Sequence, residues 1–112
     1  MDLTTIGIDI VEVKRLRTAL RRKKERFFLT TFSAKERAYC LSFQDPAPHF
    51  AGTFAAKEAV QKALGTNSPA EIEIRHDKSG RPIVWTNGKR STIRISITHE
   101  RSVACAVALR LA

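Results

Sequence analysis

Across residues 72–111 apolar side chains recur at every second position in four short runs: Ile72 and Ile74; Ile83 and Trp85; Ile93, Ile95 and Ile97; then Val103, Cys105, Val107, Leu109 and Leu111. A two-residue period marks strands with one buried face. Asp77-Lys78-Ser79-Gly80 and Asn87-Gly88 are turn formers between the runs. Connections this short cannot carry a parallel crossover, so the strands are expected to form a mainly antiparallel sheet. The opening Ile6-Gly7-Ile8-Asp9-Ile10-Val11 alternates as well. It predicts a strand with Ile6, Ile8 and Ile10 on one face and Gly7 and Asp9 on the other.

From about Glu12 the period becomes helical, with Val13, Leu16, Leu20 and Phe27 on one stripe. Ser33 and Glu36 have the spacing of a capping box, which starts a second short helix running to about Ser42. Pro46 and Pro48 mark a turn-rich connection. Residues 50–64 are nearly all good helix formers, and Gly65 is a natural stop. In 112 residues with 43% hydrophobic side chains there is room for one core. The expectation is a single α+β domain over residues 1–112, its mainly antiparallel sheet packed against helices. The apolar stretches are too short to span a bilayer and the polar start does not read as a signal peptide, so a cytoplasmic protein with no membrane partner is expected. Cys40 and Cys105 fall in no Cys-x-x-Cys pattern and are expected to be reduced structural thiols.

The formal net charge of +9 is concentrated near the N-terminus, because residues 14–26 hold eight basic side chains and one acid. Such a patch calls for an anionic partner. On the helix, Lys14, Arg17, Arg21 and Lys24 form a row beside the apolar stripe, and Arg15, Arg22 and Arg26 form a more exposed row almost opposite it. A nucleic-acid backbone would suit this charge, but only Phe27, Phe28 and Phe32 lie near it and no zinc-finger, RNA-recognition or helix-turn-helix signature appears. Phosphate esters and an acidic protein, bound by an enzyme or by a non-catalytic scaffold, stay open as partners, and no nucleic-acid partner is expected.

In the central helix Phe54, Glu58, Gln61, Lys62 and Gly65 share one side, opposite Ala56, Ala59, Val60 and Ala63. Glu58 and Lys62 have i, i+4 spacing, which by itself implies a surface salt bridge worth about 0.3 to 0.5 kcal/mol. Asp9 by itself reads equally as a cap for the following helix. Together, a strand carboxylate and a helix carboxylate without nearby His or Cys form a hard oxygen site suited to Mg²⁺. Such a cation completes its shell with waters and phosphate oxygens, and Lys62, Arg81 and His99 are candidate phosphate contacts. His99 also reads as an exposed turn residue. Gly65, Gly80 and Gly88 are isolated, so no glycine-rich phosphate loop is present.

Four strings, in order over almost the whole chain, closely resemble the holo-[acyl-carrier-protein] synthases: Gly7-Ile8-Asp9-Ile10-Val11-Glu12; Phe54-Ala55-Ala56-Lys57-Glu58-Ala59 with Lys62-Ala63-Leu64-Gly65-Thr66; Gly80-Arg81-Pro82; and Ile95-Ser96-Ile97-Thr98-His99. The resemblance implies a 4'-phosphopantetheinyl transferase that moves the phosphopantetheine arm of coenzyme A to a serine of an apo acyl carrier protein and releases adenosine 3',5'-bisphosphate. By similarity, Asp9 and Glu58 hold Mg²⁺, Lys62 contacts the reacting phosphate, and Glu58 is the candidate base for the serine proton. Gly65, Thr66, Arg81, Pro82 and His99 match positions around the nucleotide of coenzyme A. The row Arg15, Arg22 and Arg26 matches the carrier-docking face.

The chain departs from the family pattern at Thr53, where members often carry an arginine near the 3'-phosphate. It departs again at Asn67, which follows Gly65-Thr66 where the pattern has glycine, and in a shortened stretch from Ser68 to Glu71. The resemblance also implies a homotrimer with active sites between subunits. Ala104, Ala106 and Ala108 are small enough to let another surface approach, so the threefold contact is expected there, with packing on a helix of the same chain as the alternative.

Overall fold

The computed structural model describes residues 4–65 and 71–111. β1 (Thr5–Glu12) leads into α1 (Val13–Arg21), α2 (Glu25–Thr31), α3 (Ala34–Leu41) and the long α4 (Pro46–Leu64). β2 (Ile72–His76), β3 (Pro82–Thr86), β4 (Lys89–Arg90), β5 (Arg94–His99) and β6 (Val103–Arg110) follow. The α+β class is as expected, but the strands divide into two antiparallel three-stranded sheets, β1-β6-β5 and β2-β3-β4. In the first, the opening strand pairs with the last, placing Asp9 opposite Ala106.

α4 is the centre of the domain. It packs on β1, β5 and β6, and also on α1, α3 and β2. Ala51, Ala55, Ala56, Ala59, Val60 and Ala63 are all buried along it. It begins at Pro46, not near residue 50, because both prolines fall in the first turn, where a missing N–H loses no helical partner.

The orientation of β1 corrects the sequence-based expectation. Ile6, Ile8 and Ile10 are 67, 60 and 67% exposed, while Gly7 and Val11 are buried against the helix. A Cβ at Gly7 would stand 1.8 Å from the Ala59 carbonyl oxygen, so strand and helix meet more closely than any side chain at residue 7 permits. On β6 the buried residues are Ala104, Ala106 and Ala108. They pack on a helix of their own chain and are not available to a neighbouring copy. The opposite face of this sheet carries Ile6, Ile8, Ile10 and Val107 in the open. β3 departs in the same way: Val84 is buried with Ile72 and Ile74, while Ile83 and Trp85 are only half-buried.

The first helical stripe is interrupted at Lys23, whose φ of 52° lies in the left-handed region. Phe27 therefore belongs to α2 and is half-buried, and the neighbouring Phe28 enters the core. Phe28 and Phe32 pack on Phe50 with ring centroids 4.9 and 5.0 Å away. The capping box of α3 is present, with the Glu36 N–H donating to Ser33 Oγ (3.1 Å) and the Ser33 N–H to Glu36 Oε1 (2.8 Å). Glu36 is also buried, accepting from Lys57 Nζ and from the Ile74 N–H, each at 2.7 Å. One carboxylate thus ties α3 to both α4 and β2. No described helix is long and apolar enough to cross a membrane.

Candidate active site

The close contact of β1 with α4 brings Lys62 over the strand. Lys62 Nζ donates to the Ile8 carbonyl oxygen (2.8 Å) and to Asp9 Oδ1 (3.2 Å). Asp9, whose side chain is 19% exposed, is thus held at the lip of a cleft of about 280 Å³ that it shares with Ile8, Ile10, Lys62 and Cys105. The i, i+4 salt bridge between Glu58 and Lys62 does not form. Glu58 is exposed and, among the described residues, has neither hydrogen bond nor ion pair. It lines a second cavity of about 290 Å³ with Thr30, Thr31 and Gln61.

The two carboxylates nonetheless leave from the segments in closest contact. Asp9 is two residues beyond Gly7, and Glu58 is next to Ala59. Among the described residues no three His, Cys, Asp or Glu side chains converge to enclose a metal. Two oxygen donors without a closed cage fit Mg²⁺, which keeps several waters and shares the oxygens of a phosphate ligand. A Cys- or His-ligated metal would not be served here.

Gly65 ends α4 with a φ of 107°, its N–H donating to the Gln61 carbonyl oxygen (3.0 Å). Thr66, Asn67 and most of the shortened stretch lie outside the described residues. His99 and Pro82 share a cavity of about 170 Å³ with Tyr39, His49, Thr53 and His76. Arg81 and Pro82 border a larger groove of about 660 Å³ between β3 and β5, together with Arg90 and Arg94. Pro82 therefore stands where the two spaces meet. Thr53 is 4% exposed and spends its hydroxyl on the His49 carbonyl oxygen (2.9 Å), with Cys40 Sγ at 3.5 Å. Burial pushes the Cys40 thiol up to about 11, which makes it inert as a nucleophile.

On the N-terminal helices Arg17 is committed to Asp45 through two bonds of 2.8 and 3.1 Å. Arg15, Arg22 and Arg26 are exposed. The Arg15 guanidinium lies 5.1 Å from the Phe54 ring centroid and borders an open groove of about 680 Å³ with Lys14, Lys24 and Phe27. The row read from one continuous helix is thus divided, with Arg15 on α1, Arg22 at its C-terminal cap and Arg26 on α2 beyond the break at Lys23. Sequence reasoning missed Glu36 as a junction, and it missed His49 and His76 beside His99. These three histidines come from separate elements, so no spacing along the chain announces them.

Residues 5–108 match the 4'-phosphopantetheinyl transferase superfamily. The chain is 42% identical over 111 residues to the holo-[acyl-carrier-protein] synthase of Chlorobaculum tepidum, covering 93% of this chain and 95% of that protein. Its fold is similar to the crystal structure of a holo-(acyl-carrier-protein) synthase from Bacillus anthracis in complex with CoA (3',5'-ADP), at a TM-score of 0.78 and 33% identity, over 97% of this chain and 96% of the other. It is likewise similar to Helicobacter pylori holo-[acyl-carrier-protein] synthase in complex with coenzyme A, at a TM-score of 0.78 and 28% identity, over 92% of this chain and 96% of that one.

Proposed function

Because the chain belongs to the 4'-phosphopantetheinyl transferase superfamily, in its holo-[acyl-carrier-protein] synthase branch, we propose that it uses Mg²⁺ to transfer phosphopantetheine from coenzyme A to a serine of an apo acyl carrier protein. The observation that carries this reading is Lys62 Nζ bridging the Ile8 carbonyl and Asp9 one helical turn from Glu58. A cation and two carboxylates are the minimum set for aligning a pyrophosphate.

In the proposed reaction the serine oxygen forms a bond to the phosphorus next to pantetheine. The bond from that phosphorus to the bridging oxygen breaks, and its electron pair departs on adenosine 3',5'-bisphosphate. Asp9 and Glu58 would hold Mg²⁺, which when bound neutralises charge on the pyrophosphate oxygens. Lys62 offers its ammonium to a phosphate oxygen, and Asp9 keeps that ammonium in place before substrate arrives. Glu58, exposed and without a partner among the described residues, is the acceptor for the serine proton. Gly65, Thr66, Arg81, Pro82 and His99 surround the nucleotide, with Arg81 on the groove side and His99 on the cavity side.

Arg15, Arg22 and Arg26 form the docking face for the acidic carrier. The assembly is a homotrimer, and the apolar residues that a neighbouring copy covers are Ile6, Ile8, Ile10 and Val107, since an open row of large aliphatic side chains is costly in water. The protein works in the cytoplasm, where both substrates of such a reaction are made.

The test is incubation with coenzyme A and apo carrier protein, with and without Mg²⁺. Phosphopantetheine should appear on the carrier serine with equimolar adenosine 3',5'-bisphosphate, and only when Mg²⁺ is present. Metal-independent transfer would remove the Mg²⁺ role, and no transfer at all would defeat the reading.

A further inference from the structure

Asp9 does not stand open in this fold. The Lys62 ammonium reaches across β1 and donates both to Asp9 Oδ1 (3.2 Å) and to the Ile8 carbonyl oxygen (2.8 Å). β1 is an outer strand of its sheet, paired with β6 alone, so its other edge is free to receive an ammonium from α4. The spacing across which Lys62 reaches is fixed by Gly7 against Ala59 and by the Thr5 hydroxyl, which donates to the Ala63 carbonyl oxygen. The other walls of this cleft, Ile8, Ile10 and Cys105, bring no cation to it. Among the described residues Lys62 is the sole Lys or Arg in ion-pair contact with Asp9. A carboxylate and a carbonyl oxygen converging on one positive atom are the donors that a hard cation takes. The ammonium therefore stands where a cation would otherwise be held.

Glu58 is placed differently. It leaves α4 one turn before Lys62, yet it is exposed, has no partner among the described residues and lines a separate cavity with Thr30 and Thr31. In the free protein one carboxylate is thus bare and the other is already neutralised. A divalent metal that needs both has to take Asp9 from Lys62. We propose that Lys62 is a built-in counter-ion, which occupies the cation position at Asp9 until a phosphate ligand draws the ammonium away, so that metal and substrate bind together. The proposal rests on the reading of Asp9, Glu58 and Lys62 given above.

Lys62 is able to leave. Its side chain is 52% exposed, and an ion pair so open to water is weak. The four-carbon stem is flexible, and a pyrophosphate offers the ammonium several charged acceptors where Asp9 offers one. Before that ligand arrives, a divalent metal meets Glu58 alone, because the like charge of Lys62 opposes it at Asp9. Once the ammonium turns to a phosphate oxygen, Asp9 regains its full charge and the Ile8 carbonyl is released with it. Each ligand then strengthens binding of the other by the same factor.

The experiment measures, by electron paramagnetic resonance, the affinity of the whole protein for Mn²⁺, a paramagnetic stand-in for Mg²⁺, first without substrate. Lys62→Met keeps the reach of the side chain and removes its charge. It should bind Mn²⁺ about tenfold more tightly than the wild-type protein, the change expected when a metal-competent state rises from about a tenth of the population to all of it. Lys62→Arg keeps a cation for Asp9 and should stay near the wild-type affinity. Added coenzyme A should then tighten Mn²⁺ binding to the wild-type protein by a factor about tenfold larger than it does for Lys62→Met. A lysine that only contacts phosphate would leave all three free proteins with one Mn²⁺ affinity. Equal or weaker Mn²⁺ binding by Lys62→Met, or binding by Lys62→Arg as tight as by Lys62→Met, would overturn the exchange and leave the transferase reading intact. Wild-type protein whose Mn²⁺ affinity coenzyme A does not change would overturn both the exchange and the Mg²⁺ role proposed above.

Discussion

Gly7 and Ala59 meet backbone to backbone, with the space for a Cβ at residue 7 already occupied by the Ala59 carbonyl oxygen. That contact lets Lys62 reach over β1 to Asp9, so fold and site depend on the same close approach. Gly7→Ala is expected to cost about 2 to 3 kcal/mol, as overpacking does where backbone must move. Urea unfolding should show a lower midpoint, and the surviving folded fraction should turn over slowly because Asp9 is displaced from Lys62. Wild-type stability and rate would mean that the strand moves away without consequence.

Asp9→Ala and Glu58→Ala should each lower turnover on the order of 10²-fold or more while leaving the unfolding midpoint nearly unchanged. Neither substitution opens a core cavity. Lys62→Ala should also lower the rate, beyond anything a surface ion pair explains. Full Mg²⁺-dependent turnover in any of these folded variants would take that residue out of the site.

Glu36 and Lys57 offer a contrast, because their pair at 2.7 Å lies inside the fold and away from the proposed chemistry. Glu36→Ala removes the acceptor of two backbone N–H groups and the partner of Lys57. A loss of about 3 to 5 kcal/mol is expected, typical of breaking a buried pair. Denaturant titration measures it. Whatever protein remains folded should keep an unchanged Michaelis constant for coenzyme A, which separates this junction from the site residues.

Reversing Arg15 and Arg22 to Glu should raise the apparent Michaelis constant for carrier protein and leave that for coenzyme A nearly constant. Added salt should act in the same direction on the wild-type protein, since exposed charges are screened beyond about 8 Å at physiological ionic strength. Docking that ignores both changes would exclude this face.

Ile8→Arg should give a folded species that no longer assembles, because Ile8 is 60% exposed on the outer face of the β1-β6-β5 sheet. Light scattering should read a trimer for the wild-type protein and 12.6 kDa for the variant. An active wild-type monomer would defeat the trimer, and an Ile8→Arg trimer would move its interface elsewhere.

Much of the local structure was legible from the residues. The capping box at Ser33 and Glu36, the stop at Gly65 and the two-residue period of the strands depend on neighbours in the chain, and they stand in the fold. The order of the four family-like strings also identified Asp9, Glu58 and Lys62 as candidates before any geometry was known. The break at Lys23 was not legible, because a 3.6-residue stripe continues through a single left-handed residue without changing its composition.

Sequence by itself determined that β1 and β6 alternate, and alternation defines two faces without saying which is inside. On β1 one face holds isoleucines and the other Gly7 and Asp9; on β6 one holds Cys105 and Val107 and the other alanines. Ranking by hydrophobicity chose the larger residues. Tertiary structure chose the smaller ones, because α4 can bury most of its alanine-lined surface only by approaching at backbone distance, and only Gly7 and the alanines of β6 leave that room. The same approach gave Lys62 a partner more than fifty residues away in place of the one a turn away. It is also why three histidines with no pattern between them share a cavity, since helix i, i+4 spacing is a property of the chain and a meeting of α4, β2 and β5 is a property of the packed fold.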